Sequence, residues 1–286
     1  MRNLFPAIIS VGMASFALAG CSSDGSDDPA QDPPESTVQG SPVETPPGTA
    51  PPPGTNPGIT PKPVDDPGPA PAGCGTIKKD AKGFFTRTTA KSDYVAYVPK
   101  SYAGQPTTLV VGLHGCGDTA MNFALWGVNP GKQIATQTHI GISIGGKDGQ
   151  CWDAAKDGDK AIAAIEDISK CFYVHQQKVV LAGYSSGGIL AYKLGLSQSS
   201  RFAGIIIENS GLGGTQPSGA TWKINVAHIA HTGDASFPIA KVKADWAKLE
   251  AAGLPLQKKE VAGTHDGTDG DWADYLLPKI AGWKAP

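Results

Sequence analysis

From residue 74 to the C-terminus, short apolar runs alternate with stretches whose apolar positions recur at helical spacing. The apolar runs predict strands at 94–98, 108–114, 140–145, 178–184, 203–209, 225–231 and 256–261. The amphipathic stretches predict helices near 158–171, 186–198, 239–253 and 271–283. Because strands that alternate with helices form parallel sheets covered on both faces, the pattern predicts one α/β domain over 74–286. We find no internal repeat and no second domain.

The N-terminus has the pattern of an export signal. Residues 1–3 carry a positive charge, and 4–17 form an apolar segment too short to span a membrane as a mature helix. Residues 18–21, Leu-Ala-Gly-Cys, match the bacterial lipobox, in which the cysteine becomes the lipid-bearing N-terminal residue. We therefore expect 1–21 to be a lipoprotein signal peptide, with Cys21 anchored at the outer membrane or cell surface of a bacterial envelope. The alternative is an ordinary secretory peptide that precedes a cysteine by chance.

Residues 22–73 have the composition of a linker. They hold 15 of the 24 prolines of the chain and no aromatic residue, and Lys62 is their only basic residue. Such a segment buries too little apolar surface to offset its ordering entropy, so we expect a disordered, extended tether. At about 3.1 Å per residue it would reach on the order of 150 Å. A proline-rich partner-binding motif is the alternative.

Four cysteines follow the linker. The whole chain has a formal net charge of −2. An even number of cysteines in an exported domain indicates two disulfides, and the sequence leaves three pairings open. Free buried thiols are the alternative. A metal site is disfavoured because no Cys-x-x-Cys or paired histidines accompany the cysteines. The near-neutral charge gives no reason to expect nucleic acid as a partner.

A candidate nucleophile follows the predicted strand that ends near 182. The run Gly-Tyr-Ser-Ser-Gly at 183–187 lies between this strand and a predicted helix. A G-x-S-x-G run in that context is typical of the nucleophile elbow of α/β-hydrolases, with Ser185 as nucleophile. The backbone N–H of Ser186, at the start of the helix, would face the reacting carbonyl oxygen. The alternative is a chance match in a glycine-rich chain.

A serine nucleophile needs a base and an acid, which α/β-hydrolases supply in the order Ser, Asp or Glu, His. Three histidines follow Ser185 in the sequence. His228 and His231 lie in a predicted buried strand and are expected to be structural, although His231 is close to the end of that strand. Asp234 and His265 each lie in a loop after a strand, where an open α/β sheet carries its active site.

These positions predict Asp234 as the acid and His265 as the base. Asp266 is the alternative acid, but a residue adjacent to the histidine cannot easily face its Nδ1.

The predicted strand at 108–113 is followed by His-Gly-Cys-Gly at 114–117. A turn at this position offers a second backbone N–H to the tetrahedral intermediate, beside that of Ser186. Cys116 is the expected donor, with Gly117 as the alternative. His114 is interpreted as a scaffold residue because it precedes the nucleophile and belongs to this turn.

Together these residues resemble two groups of serine esterases in the α/β-hydrolase superfamily. These are the extracellular poly(3-hydroxybutyrate) depolymerase-like enzymes and the feruloyl and acetylxylan esterase-like enzymes. The resemblance covers roughly residues 92–270. It rests on Leu-His-Gly-Cys-Gly at 113–117, Cys-Trp-Asp at 151–153, Gly-Asp at 158–159, Tyr-Val at 173–174 and the elbow.

The sequence departs from the family pattern at two places. It has Phe-Pro-Ile at 237–239 where the family usually has Val-Pro. The histidine loop, 263–267, is only similar to the Gly-x-x-His of the family. The resemblance implies a Cys116–Cys151 bridge between the oxyanion turn and the Trp152 loop. By subtraction, Cys74 would pair with Cys171.

The sequence therefore predicts a membrane-tethered serine esterase that hydrolyses carboxylic esters through an acyl-enzyme, without metal or organic cofactor. Feruloyl, acetyl-xylan or short-chain polyester substrates are expected. A polyhydroxybutyrate depolymerase and a serine peptidase are alternatives, and a non-catalytic binding lipoprotein is an alternative of another class. Trp126, Trp152 and Trp272 are candidate walls of the substrate cleft, with core packing as the alternative for each. We expect a monomer whose partners are its substrate and the membrane.

Overall fold

The computed structural model describes residues 65–146 and 150–286. The predicted signal peptide, the lipid-bearing Cys21 and most of the predicted linker lie outside the described residues. Within the described ranges, no helix is both long and apolar enough to cross a membrane.

Eight strands in the described part of the chain form one sheet in the order β1-β2-β4-β3-β5-β6-β7-β8. Strands β3 to β8 are parallel to one another, and β1 and β2 form an antiparallel extension next to β4. The strands are β1 Phe84–Thr88, β2 Asp93–Tyr97, β3 Thr107–Leu113, β4 Ile140–Ile144, β5 Val174–Tyr184, β6 Gly204–Glu208, β7 Asn225–His231 and β8 Leu256–Val261. The mostly parallel sheet is the predicted fold class, which is confirmed.

Most of the helices lie between strands, and the last two follow β8. They are α1 Ala120–Phe123, α2 Gly158–Cys171, α3 Ser186–Ser197, α4 Ile239–Ala251, α5 Asp269–Asp271 and α6 Leu277–Lys279. A π-helical turn, Ala124–Val128, continues α1, and a second one, Trp272–Leu276, joins α5 to α6. Short 3₁₀ turns lie at Ser199–Arg201 and Pro217–Gly219.

The sheet is buried on both faces, and neighbouring residues of its central strand serve opposite cores. Val179 and Leu181 of β5 pack with α2, α3 and α4, whereas Val180 and Ala182 pack with the π-helical turns. This alternation follows from the two-residue period of a strand. A strand that is buried on both faces appears in the sequence as a continuous apolar run, which is why β5 is easily predicted.

Several elements differ from the sequence-based prediction. Helix α1 and the π-helical turn that continues it were not predicted. Strand β1 was not predicted, because it is a short edge strand in which Phe84 and Phe85 are adjacent buried residues without alternation. The helix predicted at 271–283 is instead divided between α5, a π-helical turn and α6. Pro278 explains the division, because it has no N–H to donate to the preceding turn.

The region just before the predicted domain boundary packs against the domain. Asp66 donates its N–H to Oε1 of Gln177 at 2.9 Å, and Gly68 accepts a hydrogen bond from the Tyr173 hydroxyl at 2.7 Å. Contact with the domain therefore begins at least as early as residue 65, ahead of the boundary expected at Cys74. Cys74 itself is bonded to Cys171 at the end of α2.

Candidate active site

The strand β5 ends in a tight turn at Ser185, and α3 begins at the next residue. Ser185 has φ 54° and ψ −122°, a conformation that L-residues rarely adopt and that costs about 1–3 kcal/mol. Neighbouring groups hold this strained backbone. The Ser185 N–H donates to the Glu208 carbonyl at 3.2 Å, and the Ser210 hydroxyl donates to the Ser185 carbonyl at 2.6 Å. The nucleophile candidate is thus fixed by the end of β6.

Ser185, His265 and Asp234 form a continuous chain of hydrogen bonds, which we call the triad. Nε2 of His265 lies 2.9 Å from Oγ of Ser185, and its Nδ1 lies 2.8 Å from Oδ2 of Asp234. The Asp234 side chain is almost fully buried, and its Oδ1 accepts the backbone N–H groups of Ser236 and Phe237 at 2.7 and 2.9 Å. The acid is therefore oriented before it meets the imidazole. The structure brings together the three residues predicted from the sequence.

The alternative acid is engaged elsewhere. Oδ2 of Asp266 accepts the hydroxyl of Thr264 at 2.6 Å, and it is Asp234 that lies against Nδ1 of His265.

Two aromatic rings contact the imidazole of His265. Tyr184 and Phe237 lie with their ring centroids 5.4 and 5.6 Å from it, at interplanar angles of 27° and 21°. The Tyr184 hydroxyl also donates to the carbonyl of His265. Burial and the nearby Glu208 carboxyl raise the pKa of Tyr184 to about 12, so it remains a neutral donor. Sequence reasoning assigned neither ring a role, although each lies within a segment it had singled out.

The turn at 115–118 lies beside the elbow. Asp118 donates its N–H to the Gly115 carbonyl at 3.3 Å, and Gly117 has a φ of 81°, as the third residue of a type II turn requires. A Cβ placed on Gly115 would lie 3.3 Å from Cβ of Ser185, so this turn contacts the candidate nucleophile. The N–H groups of Ser186 and Gly187 precede the first bond of α3, which Gly188 donates to the Ser185 carbonyl at 2.9 Å. Backbone donors from both segments, including Cys116, are therefore available near Ser185.

Both predicted disulfides are confirmed. Cys116 is bonded to Cys151 and Cys74 to Cys171, as the resemblance and subtraction had implied. The Cys116–Cys151 bridge ties the 115–118 turn to the segment that carries Trp152. The same two segments are joined again by a hydrogen bond of 2.7 Å from the Trp152 indole to the His114 carbonyl.

The three tryptophans expected at the substrate cleft lie in different environments. Trp272 is fully buried and donates its indole N–H to Glu208, so its assignment to the cleft was wrong and the core alternative holds. Trp126 is partly buried, with its indole N–H 3.2 Å from Oδ2 of Asp118 and its ring edge-on to Tyr184. Trp152 is also partly buried. Trp126 and Trp152 thus remain candidates.

The remaining histidines near the site have structural surroundings. Burial lowers the pKa of His228 to about 3, and its Nδ1 accepts hydrogen bonds from Tyr192 and Trp246, each at 2.9 Å. His114 is buried with its ring tilted against Trp152, as expected of a scaffold residue. Neither histidine reaches the triad serine.

His231 is also buried and lies against two carboxylates. Among the described residues, Glu208, His231 and Asp271 bring their ligand-type atoms within 4.8 Å of one another. We call these three residues the buried cluster. Nε2 of His231 is 3.1 Å from Oδ2 of Asp271. Sequence reasoning missed Glu208 and Asp271, because neither lies in a motif and the two are far apart along the chain.

Comparison with known proteins places the fold. No family model matches the sequence, and no curated protein shows detectable sequence similarity to it. Solved structures do match. A thermostable esterase aligns with a TM-score of 0.56 and 18% identity over 70% of this chain and 62% of its own, so less than two thirds of that protein is spanned. The Bacillus cereus carboxylesterase aligns with a TM-score of 0.55 and 17% identity over 67% of this chain and 96% of its own.

The fold is that of the α/β-hydrolases. A Pyrococcus horikoshii acylaminoacyl peptidase shares this fold with a TM-score of 0.53 and 15% identity, over 70% of this chain and 42% of its own. The similar structures therefore include both esterases and a peptidase. At these identities the likeness establishes the α/β-hydrolase architecture, and the reaction has to be argued from the site.

We expect Gly187→Ala to disrupt this fold at the turn between β5 and α3. A Cβ on Gly187 would lie 1.9 Å from the Leu113 carbonyl oxygen and 2.5 Å from that of His114. Because backbone cannot yield as a side chain can, the change should lower the free energy of unfolding by more than about 3 kcal/mol. Urea unfolding followed by circular dichroism measures this.

Gly131→Ala is the matched control, because a Cβ there has no neighbour within 4 Å. It should change the free energy of unfolding by less than about 0.5 kcal/mol. A Gly187→Ala protein as stable as this control would contradict the close approach of α3 to β3.

Proposed function

We propose that the protein is a serine esterase that hydrolyses carboxylic esters through an acyl-enzyme. The observation that carries the proposal is the unbroken hydrogen-bond chain from Ser185 through His265 to Asp234, with the serine at the start of a helix. A hydroxyl at a strained turn, a base within 2.9 Å and a buried acid are the parts that nucleophilic acyl transfer needs.

In the acylation step, Oγ of Ser185 attacks the ester carbonyl carbon while Nε2 of His265 takes the hydroxyl proton. The carbonyl π electrons move to the oxygen and form an oxyanion. When this oxyanion collapses, the bond to the alkoxy oxygen breaks, and the proton on His265 passes to the departing alcohol. Asp234 keeps a proton on Nδ1 and stabilises the imidazolium that forms.

Deacylation repeats these steps with water. His265 removes a proton from the water molecule, and the resulting oxygen attacks the acyl carbon. The bond to Oγ of Ser185 then breaks, and the serine regains its proton from His265. The products are a carboxylic acid and the free enzyme.

We assign the oxyanion to backbone N–H groups of Ser186 and Cys116. The Ser186 N–H lies at the positive end of α3, where developing negative charge is favoured. Cys116 lies in the turn that contacts Ser185 and is covalently tied to Cys151. One such donor contributes about 10²–10³ in rate in well-studied serine hydrolases.

The substrate class follows the sequence resemblance. Short-chain esters such as acetyl, feruloyl or 3-hydroxybutyryl esters, free or attached to a polymer, are the proposed substrates. Turnover of p-nitrophenyl acetate and butyrate tests the reaction, and a panel of acetylxylan, methyl ferulate and polyhydroxybutyrate tests the substrate. Cleavage of peptide anilides without ester turnover would favour the peptidase alternative. Binding of esters without turnover would favour a non-catalytic lipoprotein.

Ser185→Ala should reduce ester turnover about 10⁶-fold while preserving the fold, since the nucleophile is lost. His265→Ala should be similarly damaging. The double variant should be little worse than either single one, because residues that act as one unit are not additive. Steady-state kinetics with circular dichroism as the folding check measures this. Retention of more than a few per cent of the wild-type rate in Ser185→Ala would exclude Ser185 as nucleophile.

Cys151→Ser should lower kcat more than it raises KM, because the Cys116 donor loses its covalent tie. We expect a loss of up to about 10²-fold in kcat. Cys171→Ser is the matched control, because it opens the Cys74–Cys171 bridge, which joins the domain boundary to the end of α2. It should affect thermal stability and leave kcat unchanged. Equal kcat losses in the two variants would contradict a role of the Cys116 bridge in turnover.

We also propose that Cys21 carries lipid and tethers the enzyme to the bacterial envelope, although this residue lies outside the described part of the chain. The support is the lipobox at 18–21 and the proline-rich composition that follows. Cys21→Ser should move the protein from the membrane pellet to the soluble fraction with unchanged specific activity. Fractionation with immunoblotting measures this, and a Cys21→Ser protein that stays in the pellet would refute the anchor.

A further inference from the structure

The buried cluster lies at the same edge of the sheet as the triad, but the proposed reaction does not use it. Glu208 ends β6, His231 ends β7 and Asp271 ends α5. The side chain of Glu208 is fully buried, and those of His231 and Asp271 are 4% and 13% exposed. Burying three ionisable groups is unfavourable unless they compensate one another. The presence of these three groups beside the triad therefore needs a functional explanation.

The loop that carries His265 is attached to this cluster on both sides of the histidine. Nδ1 of His231 lies 2.7 Å from the carbonyl oxygen of Thr264, the residue before His265. Three residues after His265, Thr268 donates its N–H to Oε1 of Glu208 at 3.2 Å. The two backbone segments that flank the base are thus each fixed by one member of the cluster.

His231 has polar partners on both sides of its ring. Nδ1 lies 2.7 Å from the Thr264 carbonyl oxygen, which can only accept a hydrogen bond, and 3.1 Å from the amide nitrogen of Asn209. The oxygen of that amide accepts the backbone N–H of His231 at 2.9 Å. Nε2 lies 3.1 Å from Oδ2 of Asp271.

Glu208 is the most deeply buried member of the cluster. Burial, and next to it the neighbouring Asp271 carboxyl, raise the pKa of Glu208 well above its usual range, which favours the protonated form. Both of its oxygens are engaged, one by the Thr268 N–H and the other by the indole of Trp272. The hydroxyl of Thr268 also donates to Asp271 at 2.9 Å. These bonds engage both oxygens of Glu208 and one oxygen of Asp271.

We propose that the buried cluster is a positioning unit for His265, which holds the backbone at Thr264 and Thr268 so that the imidazole meets Ser185. The inference rests on the proposed esterase function. The three residues of the buried cluster act through the loop that carries His265 and contact no reacting atom. Positioning errors of about 1 Å at a catalytic group lower rates by about 10²-fold, which sets the size of the expected effect.

The test compares Glu208→Ala with Glu208→Gln. Loss of the side chain should lower kcat for p-nitrophenyl acetate about 10²-fold with little change in KM, because the base is displaced and substrate binding is not. The glutamine variant should retain more of kcat than the alanine variant, since its amide keeps the shape of the side chain and one of the two acceptor oxygens that bind Thr268 and Trp272. Rescue by the amide is a result that a need for ionised Glu208 would not give.

His228→Gln is the matched control. It changes a buried histidine on the same strand as His231, but its partners are Tyr192 and Trp246 and not the His265 loop. It should lower Tm and leave kcat unchanged. If Glu208→Ala keeps the kcat of this control, the cluster is only structural and the proposal is wrong. If Glu208→Gln is as damaging as Glu208→Ala, the protonated form of Glu208 is wrong.

Asp271→Asn provides a second variant should Glu208→Ala fail to fold, because Asp271 lies in a short, partly exposed helix. It should lower kcat by at least about tenfold, since the carboxylate that faces Nε2 of His231 is lost. An unchanged kcat would overturn the proposal. Zn²⁺ could also raise the Tm of the wild-type protein and leave that of Asp271→Asn unchanged. This result would show a cation site and overturn the proposal.

A fluorophosphonate probe separates this inference from the esterase proposal. The probe forms a bond between phosphorus and Oγ of Ser185, the phosphorus–fluorine bond breaks, and the serine proton moves to His265 as fluoride leaves. Wild-type protein that is labelled but turns over no ester would refute the esterase proposal and leave the positioning unit testable by labelling rate. Glu208→Ala protein labelled as fast as wild-type would refute the positioning unit.

Discussion

The close approach of α3 to the end of β3 is the constraint on which the site depends. At Gly187 the first turn of the helix is so near the Leu113 carbonyl that there is no room for a side chain. This contact forces the reversal from strand to helix into a single residue, and Ser185 consequently takes a positive φ. The strain of about 1–3 kcal/mol is localised where the chemistry is proposed, as is common at functional sites.

Parallel strand order makes this approach useful. Because β3, β5, β6, β7 and β8 all end at the same edge, the residues that follow them converge although they are far apart in sequence. Leu113 is paired in register with Gly183, and Tyr184 with Glu208. Loops from β7 and β8 then deliver Asp234 and His265 to Ser185. Topology thus sets which groups meet, and hydrogen bonds set their distances.

The sequence allowed prediction of the parts that depend on local pattern. The central strands are continuous apolar runs, and the elbow glycines are required by local geometry, so both were recognisable. The parts that depend on residues from distant segments meeting in the fold could not be predicted. Glu208 looks like the polar end of a strand, and Trp272 lies near the start of a predicted helix. Nothing in either segment shows that the two side chains pair in the core. Edge strand β1 has only five residues, and edge strands are commonly short. It therefore showed no repeating pattern in the sequence.

The imidazole of His265 is restrained by three kinds of contact, and each controls a different property. Asp234 fixes the tautomer through Nδ1, since a carboxylate can only accept. Tyr184 and Phe237 limit rotation of the ring by packing nearly parallel to it. The buried cluster acts on the backbone on either side. A raised pKa of Glu208 suits that role, because an added negative charge near the site would also alter the imidazolium that forms during catalysis. Position and proton affinity can therefore be set by separate groups.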